Sequence, residues 1–279
     1  IRGRFSIFES RLAERIYPVR ERRESTQPAR YIAPAGLYLW RSQHWASHTS
    51  KAQQKGTEEM TYQHQWQDGS PVSWPVGKVV CVGRNYAAHA RELGNAVPEA
   101  PILFLKPATA LVSLGPDFAI PSGRGSCHHE TEISLLIGST LTGQVSEAES
   151  RAAIAGMTLG LDLTLRDVQS QLKQQGHPWE VAKAFDGAAP IAAFARLPAT
   201  TDFTSLYFTL TVNGEVRQQG HSADMITGII PLLQFIATIF TLQPGDVVMT
   251  GTPEGVAALS SGDELVLVLG DQRWTTRVR

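Results

Sequence analysis

Glu130 and Glu132 stand two residues apart in an apolar run, 128–137, and Asp162 interrupts a second such run, 157–164. Read with the period of a β-strand, the first run places both glutamates on one face and Thr131, Ile133 and Leu135 on the other. Two carboxylates so close repel, and burying either alone is costly, so a positive charge between them is expected. A divalent metal is the simplest candidate, and three carboxylates make an all-oxygen donor set that suits Mg²⁺ or Mn²⁺ better than Zn²⁺. Glu-x-Glu is also the pattern of a solvated strand face. What argues for a site is Asp162, an acid flanked by Gly160, Leu161 and Leu163.

Other polar groups have spacings that could serve such a centre. His89 and Glu92 lie three apart in a short helical segment, 87–94, closed by a glycine, and share a face. A carboxylate so placed orients an imidazole and raises its basicity, as a water-activating dyad requires, although exposed helices carry such pairs casually as well. Lys183 sits in apolar company within 179–187. It reads either as a surface lysine with its stem along apolar neighbours or as a clamp for a substrate carboxylate. Thr250-Gly251-Thr252-Pro253-Glu254-Gly255-Val256 follows a strand and can offer N–H groups and a hydroxyl to an anion. It lacks the Gly-x-x-x-x-Gly-Lys pattern of a nucleotide P-loop.

The elements that must hold these groups read clearly beyond residue 78. Strand runs occupy 79–83, 102–106, 207–212, 246–250, 264–269 and 274–278, and Asn213-Gly214 predicts a type I′ hairpin turn. Ser146 with Glu149 forms a capping-box signal for a helix over 146–155, and a polar helix after Asp162 ends near Gly176. The uncharged run 225–242 contains Pro231, Gln234 and three threonines and has no basic flank, which predicts a buried helix packed on a sheet rather than a membrane span. A chain of 279 residues with 42% hydrophobic content can fill a sizeable core. Its net charge of -1 argues against a nucleic-acid surface. Two cysteines, Cys81 and Cys127, cannot frame a disulfide scaffold, and the expected compartment is reducing, the cytoplasm.

Residues 1–59 have a different character. They hold 11 Lys/Arg against 6 Asp/Glu, where residues 60–279 hold 14 against 20. Pro18, Pro28 and Pro34 interrupt them, Arg20, Arg22 and Arg23 cluster, and no period is sustained. Met60 is the first methionine. A single catalytic domain over 60–279 is therefore expected, preceded by translated upstream sequence or an extension outside the catalytic fold. An Arg-rich transit peptide is the rival, weakened by Glu9, Glu14, Glu21 and Glu24.

Taken together and in order, the motifs resemble the fumarylacetoacetate hydrolase family. They are Gly83-Arg84-Asn85-Tyr86 with His89 and Glu92; His129-Glu130-x-Glu132; Gly160-Leu161-Asp162 through Arg166-Asp167-x-Gln169; Lys183; and Thr250-Gly251-Thr252-Pro253-x-Gly255-Val256. The resemblance is to the short acylpyruvase-like branch, with its fumarylpyruvate hydrolases and oxaloacetate decarboxylase-tautomerases, and runs from about Lys78 to the C-terminus. Where that family often continues Gly-Val-Gly-Pro, this chain has Gly255-Val256-Ala257-Ala258. The resemblance implies an α+β, strand-rich fold, a mixed β-roll (a distorted barrel or sandwich) with flanking helices, usually assembled as a homodimer. It implies Mg²⁺ or Mn²⁺ on Glu130, Glu132 and Asp162, chelated by the 2-oxo acid end of a small substrate. Carried over by motif, Arg84, Arg166, Gln169, Lys183 and Thr252 bind that substrate. His89 and Glu92 lie on a lid and, with Lys183, carry the catalysis.

The reaction ranked first is metal-dependent hydrolysis of a C–C bond in a 2,4-dioxo acid, an acylpyruvate or fumarylpyruvate, to pyruvate and a carboxylic acid. Oxaloacetate decarboxylation or keto–enol tautomerisation ranks second, and isomerisation of catechol-pathway 2-oxo diacids third. A non-catalytic binding module has no physical need for three clustered carboxylates.

Overall fold

The computed structural model describes residues 62–198 and 200–279. The expectations for residues 1–59 lie outside the described residues. In chain order the strands are β1 (Val79–Gly83), β2 (Ile102–Lys106), β3 (Leu111–Ser113), β4 (Asp117–Phe118), β5 (Cys127–His129), β6 (Thr131–Ile137), β7 (Ile154–Leu161), β8 (Thr164–Leu165), β9 (Ala189–Ile191), β10 (Ala195–Arg196), β11 (Tyr207–Val212), β12 (Glu215–His221), β13 (Val247–Met249), β14 (Ala257–Ala258), β15 (Glu264–Leu269) and β16 (Gln272–Val278). The helices are α1 (Ala87–Glu92), α2 (Glu147–Ala153), α3 (Arg166–Gln175), α4 (Glu180–Lys183) and α5 (Ile229–Ile239).

Eight strands form one mixed sheet in the order β2-β1-β13-β6-β7-β9-β3, with β10 on β7, curled into a half-barrel. Its central strands β6 and β13 are buried along their whole length, which is why they read as unbroken apolar runs rather than alternating ones. A second sheet, β12-β11-β15-β16-β4, does alternate. Phe208, Leu210 and Val212 of β11 and Leu265, Leu267 and Leu269 of β15 point inward between more exposed neighbours. Its β11–β12 hairpin turns at Asn213 (φ 53°) and Gly214 (φ 83°), the positive dihedrals that a type I′ turn demands.

One difference from the sequence-based expectation shapes the site. Residues 128–137 are two strands rather than one: β5 belongs to a small sheet, β14-β5-β8, and β6 to the large one. β7 and β8 break at the matching place, so a long antiparallel ribbon passes from one sheet to the other. Glu130 and Asp162 lie at that passage, joined by a backbone hydrogen bond from Asp162 N–H to the Glu130 carbonyl (2.8 Å). The bend opens the regular ladder where two of the three acids stand.

The helix ends follow local chemistry. Ser146 caps α2 in a reciprocal capping box with Glu149, and α3 stops at left-handed Gly176 (φ 68°). α5 is shorter than the run 225–242. Met225 pairs with Tyr86, Asn85 takes both backbone groups of Thr227, and Leu242 pairs with Leu141, so the flanks are held extended. Pro231 falls in the first turn of α5, where its missing N–H costs nothing. Among the described residues no helix is long and apolar enough to cross a membrane.

Among the described residues His64 and His129 are buried imidazoles whose pKa burial lowers, and His64 shows the consequence. His64 is fully buried between the Tyr62 hydroxyl (3.1 Å) and the Gly245 carbonyl (3.0 Å). Burial lowers its pKa, only partly offset by the Gly245 carbonyl and the Asp246 charge. Below its ordinary pKa of about 6.5 the unfolded chain takes up a proton that the folded chain resists, so stability is lost as pH falls. The unfolding free energy from denaturant titration in EDTA is expected to drop between pH 7.5 and 5.5, by up to about 1.4 kcal/mol per pH unit below the unfolded pKa. His64→Asn should flatten that slope in part, the remainder belonging to buried groups such as His129; an unchanged slope would assign the acid sensitivity elsewhere.

Candidate metal and substrate site

The bend brings Glu130, Glu132 and Asp162 together, all buried, with one carboxylate oxygen of each within 4.8 Å of the others. Their surroundings treat them unequally. Glu130 accepts from Arg166 Nη2 (2.5 Å), Thr164 Oγ1 (3.0 Å) and Lys183 Nζ (3.0 Å). Burial alone would raise its pKa, but Lys183 and Arg166 hold it well below the ordinary carboxylate range. Asp162 Oδ2 accepts from Lys183 Nζ (2.6 Å), and Asp162 Oδ1 lies 2.7 Å from Lys106 Nζ at an angle too poor for a hydrogen bond. Glu132 has no such cation and accepts from the Gly251 N–H (2.6 Å). Burial, then Asp162 and Glu130, push its carboxyl well above the usual range.

A hard divalent cation fits this set. The donors are all oxygen, Asp162 Oδ1 is buried without a hydrogen bond, and Glu132 carries a charge that its neighbours disfavour. Burial opposes the charge on Lys183, yet Asp162 and Glu130 raise its pKa above the ordinary lysine value.

A narrow cavity of about 30 Å³ lies against Glu130. Gly83, Arg84, His89, Leu93, Phe104, Arg166, Gln169, Lys173, Trp179 and Lys183 contribute to its walls. Arg166 and Gln169 come from the first turn of α3, locked by Arg166 Nη1 donating to Gln169 Oε1 (2.8 Å). His89 is buried on α1 with Nδ1 3.2 Å from Glu92 Oε2, while Glu92 Oε1 accepts from the Gly255 N–H (3.0 Å). Glu92 therefore ties α1 to the 250–256 turn. Thr252 does not line this cavity. Its hydroxyl donates to the Thr131 carbonyl (2.9 Å) and accepts from Gln218 Nε2 (2.7 Å), so it pins the turn to β6.

Four groups escaped the sequence reading. Lys106 ends β2 fully buried and donates to the carbonyls of Leu163, Lys183 and Ala188. Its signal, a lysine at the end of an apolar run, is close to the apolar company that marked Lys183. Gln218 is buried in β12, accepting from Thr131 N–H (3.0 Å) and donating to Thr252 and the Pro253 carbonyl (3.0 Å). Nothing in Glu215–His221 sets it apart from its exposed neighbours. Thr164 and Lys173 gave no signal either. The Gly-Arg-Asn-Tyr motif has a structural basis: Arg84 takes a left-handed backbone (φ 60°), and the Asn85 amide bonds the carbonyls of Thr227 (2.9 Å) and Thr250 (2.8 Å). Gly251 (φ 94°) is required where it stands, because a Cβ there would lie 2.7 Å from Asn85 Cβ.

Residues 78–277 match the family described as "Fumarylacetoacetate (FAA) hydrolase C-terminal". The chain is 53% identical over 222 residues to "Oxaloacetate tautomerase YcgM" of Escherichia coli (strain K12), covering 78% of this chain and 100% of that protein. It is 41% identical over 193 residues to "Oxaloacetate tautomerase FAHD1, mitochondrial" of Homo sapiens, covering 69% and 87%. Among solved structures, the fumarylpyruvate hydrolase from Pseudomonas aeruginosa in complex with Mn²⁺ and pyruvate superposes with a TM-score of 0.72 at 36% identity, covering 79% of this chain and 96% of that one.

Proposed function

The chain belongs to the fumarylacetoacetate hydrolase family, and from that premise we propose that it is an oxaloacetate keto–enol tautomerase dependent on a divalent cation. The observation that carries this reading is the cavity itself: it reaches the buried three-carboxylate cluster at Glu130, and Arg84, Lys173, Arg166, Lys183 and His89 line it. Such a site suits a metal-chelating anion with more than one negative charge. The similarity to two oxaloacetate tautomerases supports the same choice and moves hydrolysis, ranked first on sequence, to second place.

Glu130, Glu132 and Asp162 would hold the cation, which when bound supplies Lewis-acid polarisation of a 2-oxo carbonyl. Arg166 spends both terminal nitrogens on Gln169 and Glu130, which fixes Gln169 with its Nε2 left to donate to the substrate carboxylate and leaves the Arg166 charge beside it. Tautomerisation moves a proton from C3 of oxaloacetate to the C2 oxygen; no atom is gained and no water consumed. One residue able to take and return a proton suffices. With Glu92 ionised, His89 donates from Nδ1, leaving Nε2 as its basic nitrogen. Lys183 contributes a permanent positive charge beside the reacting oxygens.

Hydrolysis of a 2,4-dioxo acid would use the same dyad to activate water, and the fold shared with fumarylpyruvate hydrolase keeps it as the second reading. The full-length protein, assayed in Mn²⁺, Mg²⁺ or EDTA, distinguishes the two. Metal-dependent acceleration of oxaloacetate keto–enol exchange is expected, with slower or no pyruvate release from acetylpyruvate and fumarylpyruvate. Rapid pyruvate release with no effect on oxaloacetate would replace the first reading by the second.

A further inference from the structure

The cavity carries more positive charge than a 2-oxo acid head requires. Arg166 and Lys183 are committed to Glu130, Gln169 and Asp162. Arg84 and Lys173 are not: among the described residues neither side chain makes an ion pair or a hydrogen bond to protein, yet both line the cavity. Lys173 lies seven residues after Arg166 on α3, two turns along the same face that carries Gln169. Its Nζ sits 5.2 Å from the centre of the Trp179 ring, and Phe104, edge-on to that ring, adds to the same wall. Trp179 thus holds the ammonium without neutralising it.

The charges on this wall point to an anion. Burial, then Arg84 and Arg166, push the Lys173 ammonium down to about 8, the behaviour of a half-buried cation facing other cations. Two cations on one cavity wall, without protein partners among the described residues, are stabilised by an anionic ligand group.

We propose that Lys173, with Arg84 beside it, is a specificity-determining residue that receives the distal carboxylate of a short 2-oxo diacid. The 2-oxo end then lies toward Glu130, Arg166 and Gln169. The inference rests on the reading above that the substrate is oxaloacetate, and adds which residues select its far carboxylate. An acylpyruvate ending in a methyl group would leave both cations unpaired.

Isothermal titration of the Mn²⁺-loaded full-length protein tests this with two ligands that cannot enolise. Oxalate has only a chelating end; malate adds a distal carboxylate at C4. Lys173→Met should weaken malate by on the order of 10- to 100-fold while oxalate changes by less than about threefold. Lys173→Arg should restore most of the malate affinity. Equal loss of both ligands, or undiminished malate binding, overturns the proposal. The reaction stands or falls separately. If the wild type leaves oxaloacetate untouched but Lys173→Met shows the malate–oxalate split, the subsite stands and the tautomerase falls. If the wild type enolises oxaloacetate but Lys173→Met shows no split, the tautomerase stands and the subsite falls.

Discussion

Asp162→Asn is expected to abolish tight Mn²⁺ binding and, with it, catalysis. The amide preserves the shape of the side chain and deletes its charge. Lys106, 2.7 Å from Oδ1, and Lys183, 2.6 Å from Oδ2, then lose a counter-ion inside the fold. Removing one member of a buried ion pair costs about 3–5 kcal/mol, so the denaturant midpoint should fall as well. Loss of an outer hydrogen-bond partner alone weakens metal sites by about 10- to 100-fold, and loss of a direct carboxylate should exceed about 100-fold. Electron paramagnetic resonance of Mn²⁺ against the folded variant reads the effect. A folded Asp162→Asn protein that binds Mn²⁺ as the wild type does would mean that the three carboxylates are not the metal centre.

His89→Ala should separate chemistry from binding. His89 reaches the cavity from α1, outside the acidic cluster, so the Mn²⁺ dissociation constant should stay within about threefold. The rate constant for oxaloacetate tautomerisation should fall by about 100- to 10,000-fold, the usual contribution of a positioned acid–base group. Glu92→Gln should follow in the same direction with a smaller loss, because it removes only the partner at Nδ1. If His89→Ala keeps most of its turnover, the proton is carried by another residue, and Lys183 becomes the first to examine.

Much of this site was legible because its chemistry is costly without a reason. An acid between Gly160, Leu161 and Leu163, and a lysine between Ala182 and Ala184, conflict with their apolar surroundings unless something compensates them. Turn and cap signals were equally readable, since Asn213-Gly214 and Ser146 with Glu149 act through local geometry. The bend between β5 and β6 was not, because it arises from the switch of pairing partners from β8 to β7, a long-range choice with no local mark at Glu130. Gln218 was hidden for a similar reason: it becomes a hub only when β12 folds over the 250–256 turn. The shortened α5 shows tertiary pairing overriding a continuous apolar pattern at Met225 and Leu242.

The central claim, that a metal held by three carboxylates serves an oxaloacetate tautomerase, is tested most directly by stripping the full-length protein with EDTA and titrating Mn²⁺ back. The keto–enol ratio of oxaloacetate is followed by ultraviolet absorbance throughout. The account predicts that exchange rises in step with bound Mn²⁺ and saturates when the site is filled. Exchange that stays at the uncatalysed rate with Mn²⁺ fully bound would contradict it.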